Sequence, residues 1–200
     1  SWVYDFIIFI VMILVILIPI LVAIFGGKKY IFKDNKTIPK DVNYFRDIPC
    51  NKDLKKAYYL ASKNYLLKRN TDLLGCYLLK WIKEEIVTTN KNGKNSVIVF
   101  DPAKRPTDLD ELSMFNMMYE ASKDGILEKN EFKSYCSKHY EKVLGHFDKV
   151  LNNEENNLVS NNNITTFKQK KFLFTKTYYV FDDSIYTDVI YLKGLKKYFK

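Results

Sequence analysis

Hydrophobic and polar positions divide this chain unevenly. The stretch from Phe6 to Phe25, "FIIFIVMILVILIPILVAIF", holds twenty residues without a charge. At 1.5 Å per residue it measures about 30 Å, the hydrocarbon thickness of a bilayer. It has no polar stripe of the kind a soluble helix shows. The pattern therefore predicts a transmembrane helix with its flanks over 1–27, with Trp2 and Tyr4 at one interface. A signal peptide is not expected: "SWVYD" before the stretch has no Lys or Arg, and "GGKKY" after it has no small-residue cleavage pattern. The start at Ser1 reads as a cut just ahead of the helix, so that the chain is a fragment of a longer protein.

Beyond it the pattern changes. Residues 28–50 mix charges with Pro39 and Pro49 and read as a juxtamembrane linker. Helical spacing returns with Leu54, Ala57, Tyr58, Ala61 and Tyr65, after a cap at Asn51 or Asp53. A second helix, capped near Asn70 or Thr71, places Leu74, Tyr77, Leu78 and Trp81 inward. "IVTTNKNGKNSVIVF" has β-branched runs around Asn92 and Gly93, the residues of a type I′ turn, and predicts a hairpin. Helix, helix and hairpin make 51–104 a winged-helix-like unit.

A second helical unit is expected over 105–200. Its first helix would turn Leu109, Leu112, Phe115, Met118 and Tyr119 inward. Another would run from about Lys129 to Leu151, with a break at Gly145. "NNEENNLVSNNN" reads as a polar loop. The aromatic and Thr-rich "ITTFKQKKFLFTKTYYVF" reads as two strands, and a last helix begins at Asp183 or Ser184. A second helix–helix–hairpin unit, giving a tandem, stays open. The expected class is α+β: mainly α with small β-hairpins and one transmembrane helix.

Charge adds orientation. The net charge is +9, and +10 with Asp5 set aside. Lys28, Lys29, Lys33, Lys36, Lys40 and Arg46 follow the apolar stretch, which puts 28–200 on the cytoplasmic side of a cell membrane. Cys50, Cys76 and Cys136 are an odd, scattered set suited to a reducing compartment. Lysine beside an apolar helix attracts anionic headgroups and can attract nucleic acid.

Three sets of residues have the composition of possible binding sites. "EASKDGILEKNEF" resembles a calcium loop, with Glu120, Ser122, Asp124, Ile126 and Glu131 at ligand positions around Gly125. Glu120 is a methylene too long for the first position, Ser122 is neutral and Lys123 adds positive charge. A helix end at Gly125, followed by a helix start with Glu128 and Glu131 in its first turn, accounts for the same residues. Cys136, His139 and His146 have helical spacing, but no Cys-x2-Cys pair completes a metal site. On the second helix, Asp72, Cys76, Leu79, Lys80 and Lys83 face outward. Lys80, Lys83, Lys91 and Lys94 suit phosphates, while no Arg, Asn or Gln is placed to read bases. No phosphate loop or nucleophile motif is present. No catalytic, cofactor-binding or metal residue is assigned, no cofactor is expected, and the chain is not expected to be an enzyme.

Four strings occur together: "YFRDIPC" (Tyr44 to Cys50), "TDLLGCYLLKWIKEEIV" (Thr71 to Val87), "DGILEKNEF" (Asp124 to Phe132) and "LKGLKKYFK" (Leu192 to Lys200). In order and spacing they resemble the YciQ-like predicted bacterial membrane proteins, classed as domain of unknown function 2207. The resemblance covers nearly the whole chain. It implies a β-rich extracytoplasmic domain before Ser1, a cytoplasmic region here and further membrane helices beyond. It transfers no catalytic or binding residue. The expected role is structural or protein-interaction. The expected partners are the membrane lipid bilayer, unidentified proteins and the missing N- and C-terminal parts of the same chain. Nucleic acid is not the expected partner, and a membrane-tethered nucleic-acid-binding regulator is the alternative.

Overall fold

A computed structural model of the chain describes residues 2–42, 48–67, 69, 71–92, 95–171 and 174–198. The expected cap at Asn70, the turn residue Gly93, the wing lysine Lys94 and most of "YFRDIPC" lie outside the described residues, as does the side chain of Trp2. The described chain is α+β, with seven helices and two three-stranded sheets. It divides into two compact units, one of 1–46 with 157–200 and the other of 47–156.

In the larger unit, α2 (Leu54–Lys63) and α3 (Asp72–Lys83) precede the hairpin of β2 (Val87–Asn92) and β3 (Asn95–Phe100). There follow α4 (Leu109–Ser122), the short β4 (Ile126–Leu127), α5 (Lys129–Lys138) and the start of α6 (Tyr140–Ser160). The hairpin is antiparallel, Val87 opposite Phe100, and β4 adds to β3 with Ile98 opposite Leu127. Asp53 caps α2 by accepting from the Lys56 N–H at 3.0 Å. Asp108 caps α4 by accepting from the N–H groups of Asp110 and Glu111.

The core of this unit is aromatic. Leu73, Tyr77 and Trp81, four apart on α3, are buried. Tyr77 stacks on Trp81, and Trp81 meets Phe115 edge-on at 5.6 Å. Phe115 in turn meets Phe100 at 5.1 Å. Such edge contacts suit the ring quadrupoles. The indole of Trp81 has to satisfy its N–H in this dry setting, and Glu111 accepts it at 3.0 Å. Lys80 bonds the other carboxylate oxygen at 2.7 Å. Glu111 is only 5% exposed.

In the smaller unit, α1 (Trp2–Phe25) leads directly into β1 (Gly27–Phe32). β1 pairs in parallel with β6 (Phe174–Phe181), which pairs antiparallel with β5 (Ile164–Lys171). The row Phe32, Phe181 and Ile164 is buried together with Ile185 and Val189 of α7 (Asp183–Tyr198).

Several expectations are corrected. The transmembrane helix over 1–27 is the main one: among the described residues, no helix is long and apolar enough to cross a membrane. The fold class is therefore α+β without that element, and the membrane-spanning description goes with it.

The 28–50 stretch is not simply a linker, because its first residues form a strand. Residues 36–39 are fastened to α7: Lys36 bonds Asp183 at 2.6 Å, Tyr186 donates to the Thr37 carbonyl at 3.1 Å, and Lys193 donates to the Pro39 carbonyl. The polar "NNEENNLVS" is helical within α6, and its Glu154 and Glu155 are buried. The break in the long helix falls at His139, between α5 and α6, rather than at Gly145, beside which nothing crowds the helix. α7 is capped by Asp182, which accepts from the Ile185 N–H, so the cap lies one residue earlier than expected. Tyr65 and Leu109 are exposed, at 91% and 80%; each lies at a helix end, where a spacing rule extends the stripe beyond what is covered.

Replacing Glu111 by Ala leaves the Trp81 N–H without an acceptor and Lys80 without its partner. Loss of about 3 kcal/mol of stability is expected, to be measured by urea denaturation.

Candidate functional site

The opening between α4 and α5 is the candidate site. It is a cleft of about 430 Å³ lined by Glu120, Lys123, Asn130, Ser134, Tyr135 and His139, among others. It coincides with the stretch that resembles a calcium loop, so its construction decides what the loop can do.

α4 ends at Ser122, and Lys123 follows with φ +59°. Gly125 has φ +85°, a conformation that glycine adopts without a Cβ penalty. Its carbonyl accepts from the Phe100 N–H at 2.9 Å, which ties the turn to β3. α5 opens on a capping box: the Glu131 side chain accepts from the Glu128 N–H at 3.0 Å. Asp124 accepts from the Ile126 N–H, and the Ser122 hydroxyl accepts from Gly125 N–H.

Glu120 is directed elsewhere. Its Oε2 accepts from the Tyr135 hydroxyl at 2.8 Å and from Lys142 at 3.2 Å. Lys142 also donates to the Tyr135 oxygen at 3.0 Å. The five calcium-position residues thus serve a helix stop, a helix start and a cross-link between helices. Among the described residues, no three His, Cys, Asp or Glu side chains are grouped to hold a metal ion.

The hydrogen bond from Tyr135, then that from Lys142, hold the Glu120 carboxyl below its ordinary range. Burial, first, pushes the Tyr135 hydroxyl up, so it stays protonated and donates. Burial also raises the thiols of Cys136 and Cys76, away from the thiolate that nucleophilic chemistry needs. The cleft offers ammonium, amide and hydroxyl donors beside an anchored carboxylate. That set suits recognition of a polar partner group more than bond-making chemistry.

The structure separates the other expected groups. Cys136 is half-buried on α5. His139 lies at the α5–α6 junction with its ring 4.4 Å from that of Tyr135. His146 is buried in the core against Tyr77 and Phe147. Of the outward set on α3, Asp72, Cys76, Leu79 and Lys83 are exposed, while Lys80 is committed to Glu111.

The polar group that sequence reading missed lies at the start of α4. Lys55 of α2 bonds Asp108 at 2.7 Å and Asp110 at 3.4 Å, and Asn153 of α6 donates to Asp110 at 3.1 Å. Burial alone would raise the Asp108 carboxyl, but the bonds from Lys55 and from the Glu111 N–H outweigh it and hold it low. The one sequence signal is the acid-rich "TDLDE", and the partners of its acids lie 43 to 55 residues away in the chain.

The chain matches no protein-family model, no curated protein and no solved structure. Fold and site define an α+β protein of two units with a polar cleft in the larger one.

Two titrations are expected. Burial holds the His146 imidazole below its ordinary 6.5, opposed by the charge of Asp110 and aided by that of Lys149. The folded state therefore binds fewer protons than the unfolded one, and stability falls as pH drops through 6.5. In His146→Phe that slope should flatten, as read by urea midpoints across pH. Separately, Glu120 should titrate below 4.5 by carboxyl NMR, and Tyr135→Phe should move it upward.

Proposed function

We propose that the chain is a bilayer-associated interaction module rather than a catalyst. α1 buries its apolar surface in lipid, and the two units present polar surfaces to protein partners. The observation that carries this is α1 itself: Phe6, Phe9, Met12, Val15 and Ile16 are all more than half exposed, as are Ile8 and Val11 on other sides of the helix. A helix that is apolar all round is stable only where its whole surface meets an apolar medium. Burial in lipid is what the proposal needs; a full crossing is not part of it.

The lysines that follow α1 then lie where anionic headgroups attract them. The resemblance to YciQ-like proteins is consistent with a lipid-associated module belonging to a larger chain. The α4–α5 cleft is the proposed contact for a protein partner, because its donors are paired with a carboxylate already fixed by Tyr135 and Lys142.

The test is vesicle flotation of the full chain beside a Leu14→Lys, Leu17→Lys double variant. Each leucine contributes roughly 2 kcal/mol when removed from water, so partitioning should drop on the order of a thousandfold. Equal flotation of the two proteins, or none by the parent chain, would sink the proposal.

A further inference from the structure

The smaller unit places its strand lysines in one region. β1, β5 and β6 contain Lys but no Asp or Glu. Their register fixes where the charges lie. Gly27 is opposite Lys176, which is opposite Gln169. The next row is Lys28, Thr177 and Lys168, and the next is Lys29, Tyr178 and Phe167. Lys170 pairs with Thr175, one row to the other side of Lys176. Lys28, Lys29, Lys168, Lys170 and Lys176 thus fall within a few adjacent rows, on both faces, in a patch about 10 Å wide across the strands.

That half of the sheet is the one next to α1. The helix ends at Phe25, immediately before the first of these rows, and it contacts both β1 and β6. The opposite half is the apolar row Phe32, Phe181 and Ile164. The acids that flank the strands, Asp34, Asp182 and Asp183, follow Phe32 and Phe181 at that far end. Asp183 is bound to Lys36, and Asp182 caps α7.

Aromatic rings sit among the lysines. Phe167 stacks on Tyr178 at 4.8 Å and is 47% exposed. The Lys28 ammonium lies 5.1 Å from the Tyr179 ring centre, and that of Lys29 lies 5.9 Å from Tyr178.

We propose that this lysine–tyrosine end of the β1–β6–β5 sheet is a docking surface for anionic lipid headgroups. It rests on the proposal that α1 lies in lipid. Charge complementarity supplies the attraction, and continuity with an exposed apolar helix selects lipid over other polyanions. A helix buried in hydrocarbon holds the adjoining rows at headgroup depth. There lysines meet phosphate and carboxylate groups, and aromatic side chains occupy the interface they favour. The lysines of β5 and β6 reach this position only because β1 inserts beside β6, so the surface exists only in the folded unit.

The experiment uses the full chain and a Lys168→Gln, Lys170→Gln, Lys176→Gln variant. Circular dichroism and thermal unfolding confirm that the variant is folded. A matching triple Arg variant keeps the charge. Partitioning is measured onto phosphatidylcholine vesicles, and onto vesicles of phosphatidylcholine with phosphatidylserine, at low and high salt. A short duplex DNA is the competitor.

The expected result is equal binding of all three proteins to neutral vesicles. On anionic vesicles the parent and Arg proteins should gain affinity that salt removes. The Gln variant should lose on the order of a hundredfold of it. If parent and Gln variant bind both vesicle types alike, the headgroup surface is overturned while the α1 proposal stands. No binding to either vesicle overturns both. Displacement from anionic vesicles by DNA at comparable concentration overturns the choice of lipid in favour of nucleic acid.

Discussion

The larger unit depends on one buried acceptor. Trp81 is the largest fully buried side chain of α3, and its N–H cannot reach water. Glu111, in the first turn of α4, accepts that N–H and a bond from the Lys80 ammonium together. Those two bonds fix α4 against α3, and α4 carries the methionines and Phe115 that fill the space behind the hairpin. An unpaired donor in this position is costly, so the choice of a carboxylate at 111 follows from the choice of tryptophan at 81. The neighbouring Lys55, Asp108, Asp110 and Asn153 extend the same logic to α2 and α6.

The candidate cleft depends on that placement. With α4 held, its C-terminal end and the strained turn through Lys123 and Gly125 direct α5 back across it. Tyr135 then reaches Glu120, and Lys142 closes the triangle from α6. The residues that look like calcium ligands are consumed by this construction. Spacing alone does not distinguish a ligand from a cap, because the same side-chain oxygen can face a cation or a backbone N–H. What separates them is the direction of the Glu120 side chain, which only its partners fix.

The smaller unit is built on a different constraint, the parallel pairing of β1 with β6. A parallel pair needs a long connection, and here the whole of 47–156 lies within it. No local pattern announces such a strand. "GKKYIF" has two adjacent lysines and no clean alternation, so it reads as tether until Tyr30 and Phe32 meet Tyr179 and Phe181. The same pairing draws distant lysines to the end of α1. The 36–39 segment shows the converse: it is ordered by α7, some 150 residues away.

By itself the sequence determined the elements whose signals are local. Asp53 was legible as a cap, the 87–100 run as a hairpin, and Trp81 and Tyr77 as core, because each depends on residues within a few positions. The apolar character of 6–25 was equally plain, but the crossing it predicts is not there: among the described residues no helix is long and apolar enough to span a membrane. Only tertiary structure decided which polar groups are buried. It placed Glu154 and Glu155 in a helix where composition read as loop, committed Lys80 to Glu111 and turned Glu120 toward Tyr135. It also gathered five strand lysines beside α1. Burial and pairing over long sequence separations depend on what else folds nearby, and that information is carried by no single stretch of the chain.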